Sequence, residues 1–113
     1  MRYGTIYQKS DLVVIPYPFT DLSSQKLRPV LILRTPNQKG DFLAVQITSK
    51  AGHALAEPIL NSDLAIGQRP KTSYIRPDKL ITLNLSLIHK RIAQLSPEAT
   101  DKFDQLVCQT LLC

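Results

Sequence analysis

The sequence predicts a mainly β fold with one helix, either a small barrel or a curled sheet with the helix packed against it. Three observations carry this. Short apolar runs recur between turn-forming residues, at Leu12 to Ile15 and Val30 to Leu33. They are too short for helices of ordinary length. Asp41 to Lys50 alternates with a period of two, as a strand does. A single helical pattern closes the chain. Ser96-Pro97-Glu98 supplies an N-cap serine, a first-turn proline and an acid at the positive end of the dipole. Ala99, Phe103, Leu106, Val107 and Thr110 then recur at helical spacing, giving one face to pack on the sheet.

Taken in order, the first strand covers Leu12 to Ile15 and is expected to break at Pro16 and Pro18, which lack ladder donors. Asp21 to Gln25 is a polar loop and a candidate flap. The stretch Lys26-Leu27-Arg28-Pro29-Val30-Leu31-Ile32-Leu33 follows, and Pro29 suits the first position of the strand it opens. Its ring pushes Arg28 into an extended conformation, so a constrained cation stands where the chain enters the core. Such a guanidinium either binds a phosphate or carboxylate or closes a structural salt bridge.

Thr35 to Gly40 is a turn. In the next strand Leu43, Val45 and Ile47 share one side, and Phe42, Ala44, Gln46 and Thr48 the other. Thr48 and Ser49 fall at its end with their hydroxyls expected free; Thr48 also suits a strand simply as a β-branched residue. A short strand is expected at Ala56 to Leu60 and a loop from Asn61 to Thr72. Ser73 to Leu80 then places Tyr74, Arg76 and Asp78 on one face, about 6.6 Å between successive side chains. Pro77 among them argues for an edge or a bulge. An ordinary Arg76–Asp78 ion pair is the plainer reading of those two residues. Leu83 to Ile88 reads as a helical turn and Lys90 to Leu95 as the last strand.

At 113 residues the chain is read as one domain, with 43% hydrophobic and 20% charged residues. No window approaches the roughly 18 apolar residues of a membrane span, and no signal peptide is read at the N-terminus, so a cytoplasmic location is expected. Cys108 and Cys113, five positions apart on one helix, point to different sides and form no internal disulfide. Cys108 is expected in the core and Cys113 as a terminal thiol. His53 and His89 have no cysteine or acidic cluster beside them, so neither a structural metal nor a cofactor is expected. The net charge is +5; from Ser96 onward three acids face one lysine, a balance of −2, so the first 95 residues carry +7. A basic body suggests a polyanionic partner, RNA or DNA above all.

Together, D-L-V-V-I-P-Y-P-F-T-D, L-R-P-V-L-I-L, Q-I-T-S-K, S-Y-I-R-P-D-K-L and the S-P-E helix opening resemble the MazF/PemK family of bacterial toxins, closest to its PemK-like branch. One departure is Ser10, where the family usually has glycine. The resemblance implies an SH3-like β-barrel, assembled as a homodimer. The implied activity is metal-independent, sequence-specific cleavage of single-stranded RNA, in which the substrate's own 2′-hydroxyl attacks and leaves a cyclic phosphate. It implies a cognate antitoxin and, with it, operator DNA as partners. Arg28 and Thr48 match the residues held catalytic in MazF-like members, and Arg76 and Asp78 match the arginine–aspartate pair of the PemK-like toxin. Lys26, Ser49, Lys50, Ser73 and Lys79 are further candidates for RNA contacts. A non-enzymatic protein on the same barrel, a CcdB-like gyrase poison or a decayed toxin, is the competing expectation.

Overall fold

The computed structural model describes residues 6–18, 25–50, 52, 55–67 and 73–111, and the side chains of 17, 18, 25 and 26 lie outside that description. Among the described residues seven strands form one antiparallel sheet: β1 (Asp11–Pro18), β2 (Gln25–Ile32), β3 (Asp41–Thr48), β4 (Glu57–Ile59), β5 (Leu64–Gly67), β6 (Ser73–Asn84) and β7 (Lys90–Leu95). Their order across the sheet is β4-β6-β3-β2-β1-β7-β5, and helix α1 (Pro97–Leu111) follows. The expected barrel or curled sheet with a terminal helix is therefore present.

Both faces of the sheet are buried. On one, Leu12, Leu31, Val45, Ile47, Ile75 and Ala93 pack with Ala99, Phe103 and Val107 of α1. On the other, Val13, Ile15, Val30, Ile32, Phe42 and Ala44 are covered by Tyr7, Ile81, Leu83, Leu85 and Ile88, contributed by the curl of the chain itself. The alternation expected in β3 is thus realised, with Val45 and Ile47 on the helix side and Phe42 and Ala44 on the opposite side.

β6 runs on to Asn84, past the expected Leu80 and into the expected helical turn, which is confined to Leu85–Leu87. β1 and β2 also run further than expected, and there the prolines explain how. β1 does not break at Pro16 but continues through Pro18, with Pro16 opposite Leu27 and Pro18 opposite Gln25. The backbone N–H of His89 donates to the Val14 carbonyl at 2.8 Å, so the polar groups of Val14 point away from β2. By alternation the nitrogens of Pro16 and Pro18 point the same way. There β7 has already ended, its last partner being Val14. No ladder bond is lost. Pro29 likewise sits inside β2, opposite Val14, with its nitrogen turned toward β3; pairing with β3 begins only at Val30.

The expected loop from Asn61 to Thr72 instead contains a 3-10 turn at Asn61–Asp63 and the edge strand β5. Among the described residues β5 pairs only with β7, and it is mostly exposed, so it needs no hydrophobic alternation for the sequence to display. Its Gly67 has φ +81°, and a Cβ there would lie 2.5 Å from the Ile92 carbonyl oxygen.

The helix start is as expected. Ser96 Oγ accepts the Ala99 N–H at 3.1 Å. Ser10 enters β1 with φ +84°, a left-handed conformation that glycine adopts most easily. Its hydroxyl is anchored on Thr100 Oγ1 at 2.6 Å. The adjoining Asp11 is fully buried and held by Gln94 Nε2 and the Gln8 N–H, each at 2.9 Å, with Arg91 at 3.6 Å. Cys108, expected in the core, is exposed. The buried stripe of α1 is Ala99, Phe103 and Val107, spaced by four, and the next residue turns about 100° away from it. The Asp21–Ser24 part of the expected flap, His53 and Cys113 lie outside the described residues.

Candidate functional site

The site is built at one end of the sheet, where β2, β3 and β6 come together on the face opposite α1. Arg28 pairs with Ile15 and lies two residues before Val30, both members of the helix-remote core, so the pleat puts Arg28 on that face. β2 and β3 pair as Val30↔Gln46, Leu31↔Val45 and Ile32↔Ala44. Continued by two residues, that register sets Arg28 across from Thr48. Thr48 in turn pairs with Tyr74 of β6. Ile75 points into the helix-side core, so Tyr74 and Arg76, its neighbours, face the other way. Arg28, Gln46, Thr48, Tyr74 and Arg76 thus share one end of one face.

Pro77 does mark an irregularity. Between Val45↔Leu80 and Ile47↔Ile75 the register shifts, so four residues of β6, Arg76 to Lys79, stand against Gln46 alone. The proline lies in this bulge, two residues beyond Ile75, where the pairing of β6 with β4 ends. The bulge lets Arg76 and Asp78 turn toward each other. Arg76 Nε donates to Asp78 Oδ1 at 2.8 Å and its terminal nitrogen to Oδ2 at 2.6 Å, a bidentate fork. The Arg76 side chain is 12% exposed and that of Asp78 28%. The hydrogen bonds from Arg76 hold the Asp78 carboxyl below the usual carboxylate range, with Lys79 adding to the effect and desolvation opposing it. The same hydrogen bonds raise Arg76 above its ordinary value.

Thr48 is 8% exposed, and its hydroxyl is not free as expected: Oγ1 accepts the Lys50 N–H at 3.1 Å. The hydroxyl proton is left to donate. Ser49 and Lys50 are exposed just beyond it, and Lys79 is exposed on the bulge. Ser73 shares its strand parity with Ile75 and so faces the helix side, away from the Arg28 group. The Lys26 side chain lies outside the described residues. The sequence reading assigned Gln46 a face but no role; its signal was the change along that face from apolar Phe42 and Ala44 to polar Gln46 and Thr48. Among the described residues no group of histidine, cysteine and carboxylates is arranged to hold a metal ion.

A curled antiparallel sheet with a C-terminal helix, carrying an arginine–carboxylate fork beside a second arginine and a threonine, defines the fold class of this small basic domain. The chain belongs to the family of PemK-like, MazF-like toxins of type II toxin–antitoxin systems, whose model matches residues 8–111. Among solved structures it is similar to an endoribonuclease in complex with its cognate antitoxin from a mycobacterial species. The TM-score is 0.72 at 16% identity over 96% of this chain and 95% of that one. It is also similar to a MazE–MazF complex from Deinococcus radiodurans, with TM-score 0.71 at 17% identity over 95% and 97%. A third is the Mycobacterium tuberculosis toxin MazF-mt6, with TM-score 0.57 at 19% identity over 86% and 93%. Comparison with curated protein sequences finds no match. No helix among the described residues is long and apolar enough to cross a membrane.

Proposed function

We propose that this toxin is a cytoplasmic, single-domain endoribonuclease that cleaves single-stranded RNA at short sequences through attack by the substrate's own 2′-hydroxyl. The observation that carries the reading is the convergence of Arg28, Thr48 and the Arg76–Asp78 fork on one end of one sheet face. In-line attack needs a proton acceptor and cationic donors for the crowded phosphorane. Arginine keeps its proton far above neutral pH, so Arg28 and Arg76 serve the phosphate charge, and the Thr48 hydroxyl donates to a phosphoryl oxygen.

Asp78 takes the 2′-hydroxyl proton as the O2′–phosphorus bond forms. The phosphorus–O5′ bond breaks, and the 5′-oxygen leaves with a proton from water. The products are a 2′,3′-cyclic phosphate and a 5′-hydroxyl. The Arg76 fork makes Asp78 a weak base in the free protein. Substrate phosphate drawn onto Arg76 loosens the fork and restores the carboxylate's basicity. Lys50 and Lys79 are exposed beside the site, which supports them as contacts to the RNA backbone.

The +7 carried by the first 95 residues favours a polyanionic substrate. It equally favours an acidic antitoxin segment that folds onto the basic face and competes with RNA there. The mycobacterial and Deinococcus neighbours, both solved with antitoxins, support such a partner. A homodimer, and operator DNA bound together with the antitoxin, complete the assembly.

Incubating the purified protein with a defined long RNA in EDTA tests the reading. Fragments with 5′-hydroxyl and cyclic phosphate ends are expected. Arg28→Ala should slow cleavage by about two orders of magnitude or more, the scale of losing one preorganised charge donor. Intact RNA, or an Asp78→Asn variant that cleaves like the unaltered protein, would refute it. Intact RNA with stalled gyrase would point to the poison class instead.

A further inference from the structure

Gln46 stands apart from its neighbours in the site. It is half-buried in the middle of β3, between the buried Ala44 and Thr48 on the same face. Beside it Arg76 and Asp78 hold each other, and Thr48 accepts from Lys50 with its own hydroxyl proton left to donate. The Gln46 side chain makes no hydrogen bond among the described residues. A side-chain amide carries two donors and an acceptor with two lone pairs. Half-buried and unmet by any described residue, this amide is left to pair with something outside the chain.

Its position says what that something is. Gln46 pairs with Val30, so Arg28 is its diagonal neighbour on β2, about 7–8 Å away along the face. Thr48 lies two residues along β3, about 6.6 Å away. Tyr74, paired with Thr48, presents a half-buried aromatic side chain to the same face. A group held by Arg28 and Thr48 therefore has an unpaired amide one base-width away, with an aromatic ring beside it. Exposed bases of single-stranded RNA are recognised by such pairs, an aromatic face for stacking and an amide for a base edge.

We infer that Gln46 is a specificity-determining residue that reads an adenine next to the scissile phosphate, its amide accepting from N6 and donating to the adjacent ring nitrogen while Tyr74 stacks on the base. This rests on the ribonuclease reading for the phosphate's location. Adenine is the base whose neighbouring donor and acceptor match a glutamine amide in the commonest bidentate pairing.

The test uses 2′-O-methyl uridine heptamers carrying a single adenine, guanine or cytosine at each position in turn. They have no 2′-hydroxyl and cannot be cleaved by the proposed route. Affinity for the unaltered protein is read by fluorescence anisotropy. One adenine position is expected to raise affinity roughly 5- to 150-fold, the discrimination of one bidentate pair. Gln46→Leu, close in volume, should abolish that preference, so that the adenine and all-uridine heptamers bind it with equal affinity. Gln46→Glu, which keeps the size and loses the donors, should abolish it as well.

No adenine preference in the unaltered protein, or a preference that survives in a folded Gln46→Leu or Gln46→Glu variant, overturns the inference. Ordinary ribose heptamers run in parallel separate it from the reading beneath it. Adenine-selective binding with ribose heptamers left intact retains Gln46 as a base reader and removes the nuclease.

Discussion

The Arg76–Asp78 fork lends itself to a double-mutant cycle with Arg76→Ala, Asp78→Ala and the double variant. Two charge-assisted hydrogen bonds, at 2.8 and 2.6 Å, join side chains that are 12% and 28% exposed. Exposed ion pairs couple by about 0.2–1 kcal/mol. Hydrogen bonds to charged groups contribute about 1.5–3 kcal/mol. The fork is more buried than the first class, and its carboxylate is still in touch with water. A coupling of about 2 kcal/mol follows, roughly a 30-fold change in the folding equilibrium. Urea denaturation of the four proteins reads it as the non-additive part of the midpoint shifts at constant m-value. Each single variant should be destabilised, and the double variant by clearly less than their sum. A coupling below about 0.5 kcal/mol, the level of independent sites, would show that the fork does not hold the bulge together.

Further outcomes follow from the same structure. Because Arg76 depresses the Asp78 pKa, the pair's contribution to stability is fully present above the unfolded carboxylate value, about 4, and is lost as pH falls through the lower folded value. In kinetics, the acid limb of kcat/KM, which reports the free enzyme, should lie below that of kcat, where phosphate has drawn Arg76 away. Coincident limbs would refute the release of Asp78 by substrate. Ser10→Gly relieves the left-handed strain but loses the bond to Thr100, so thermal melting should find it near neutral; Ser10→Ala keeps the strain, loses the bond and should fall about 1 kcal/mol lower. Gly67→Ala should cost about 2 kcal/mol or more, since its Cβ meets the Ile92 carbonyl at 2.5 Å, and an unchanged urea midpoint would contradict the β5–β7 register. Ser96→Ala should cost about 1 kcal/mol by the same measurement through loss of the helix cap.

How much of this could be read from the chain depends on where the information sits. The helix from its cap onward, β7 and the two faces of β3 were legible because periodicity and capping are local. β5 was not, because an exposed edge strand has no apolar pattern to show. The prolines misled for a related reason. Whether a missing N–H matters depends on whether a neighbouring strand pairs at that point; pairing with β7 ends at Val14, before Pro16 and Pro18, and pairing with β3 begins only at Val30, after Pro29. Cys108 was placed in the core on residue type, while its angular position on α1 turns it outward.

The same division holds for the site. By itself the sequence determined the residue types, the bulge-forming Arg76-Pro77-Asp78 and the family, since these lie within single short segments. That Arg28, Gln46, Thr48, Tyr74 and Arg76 share one end of one face was decided by the tertiary structure alone. Face and register arise from pairing among β2, β3 and β6, strands far apart along the chain, and a slip of one residue in any of them would turn its side chains to the other side.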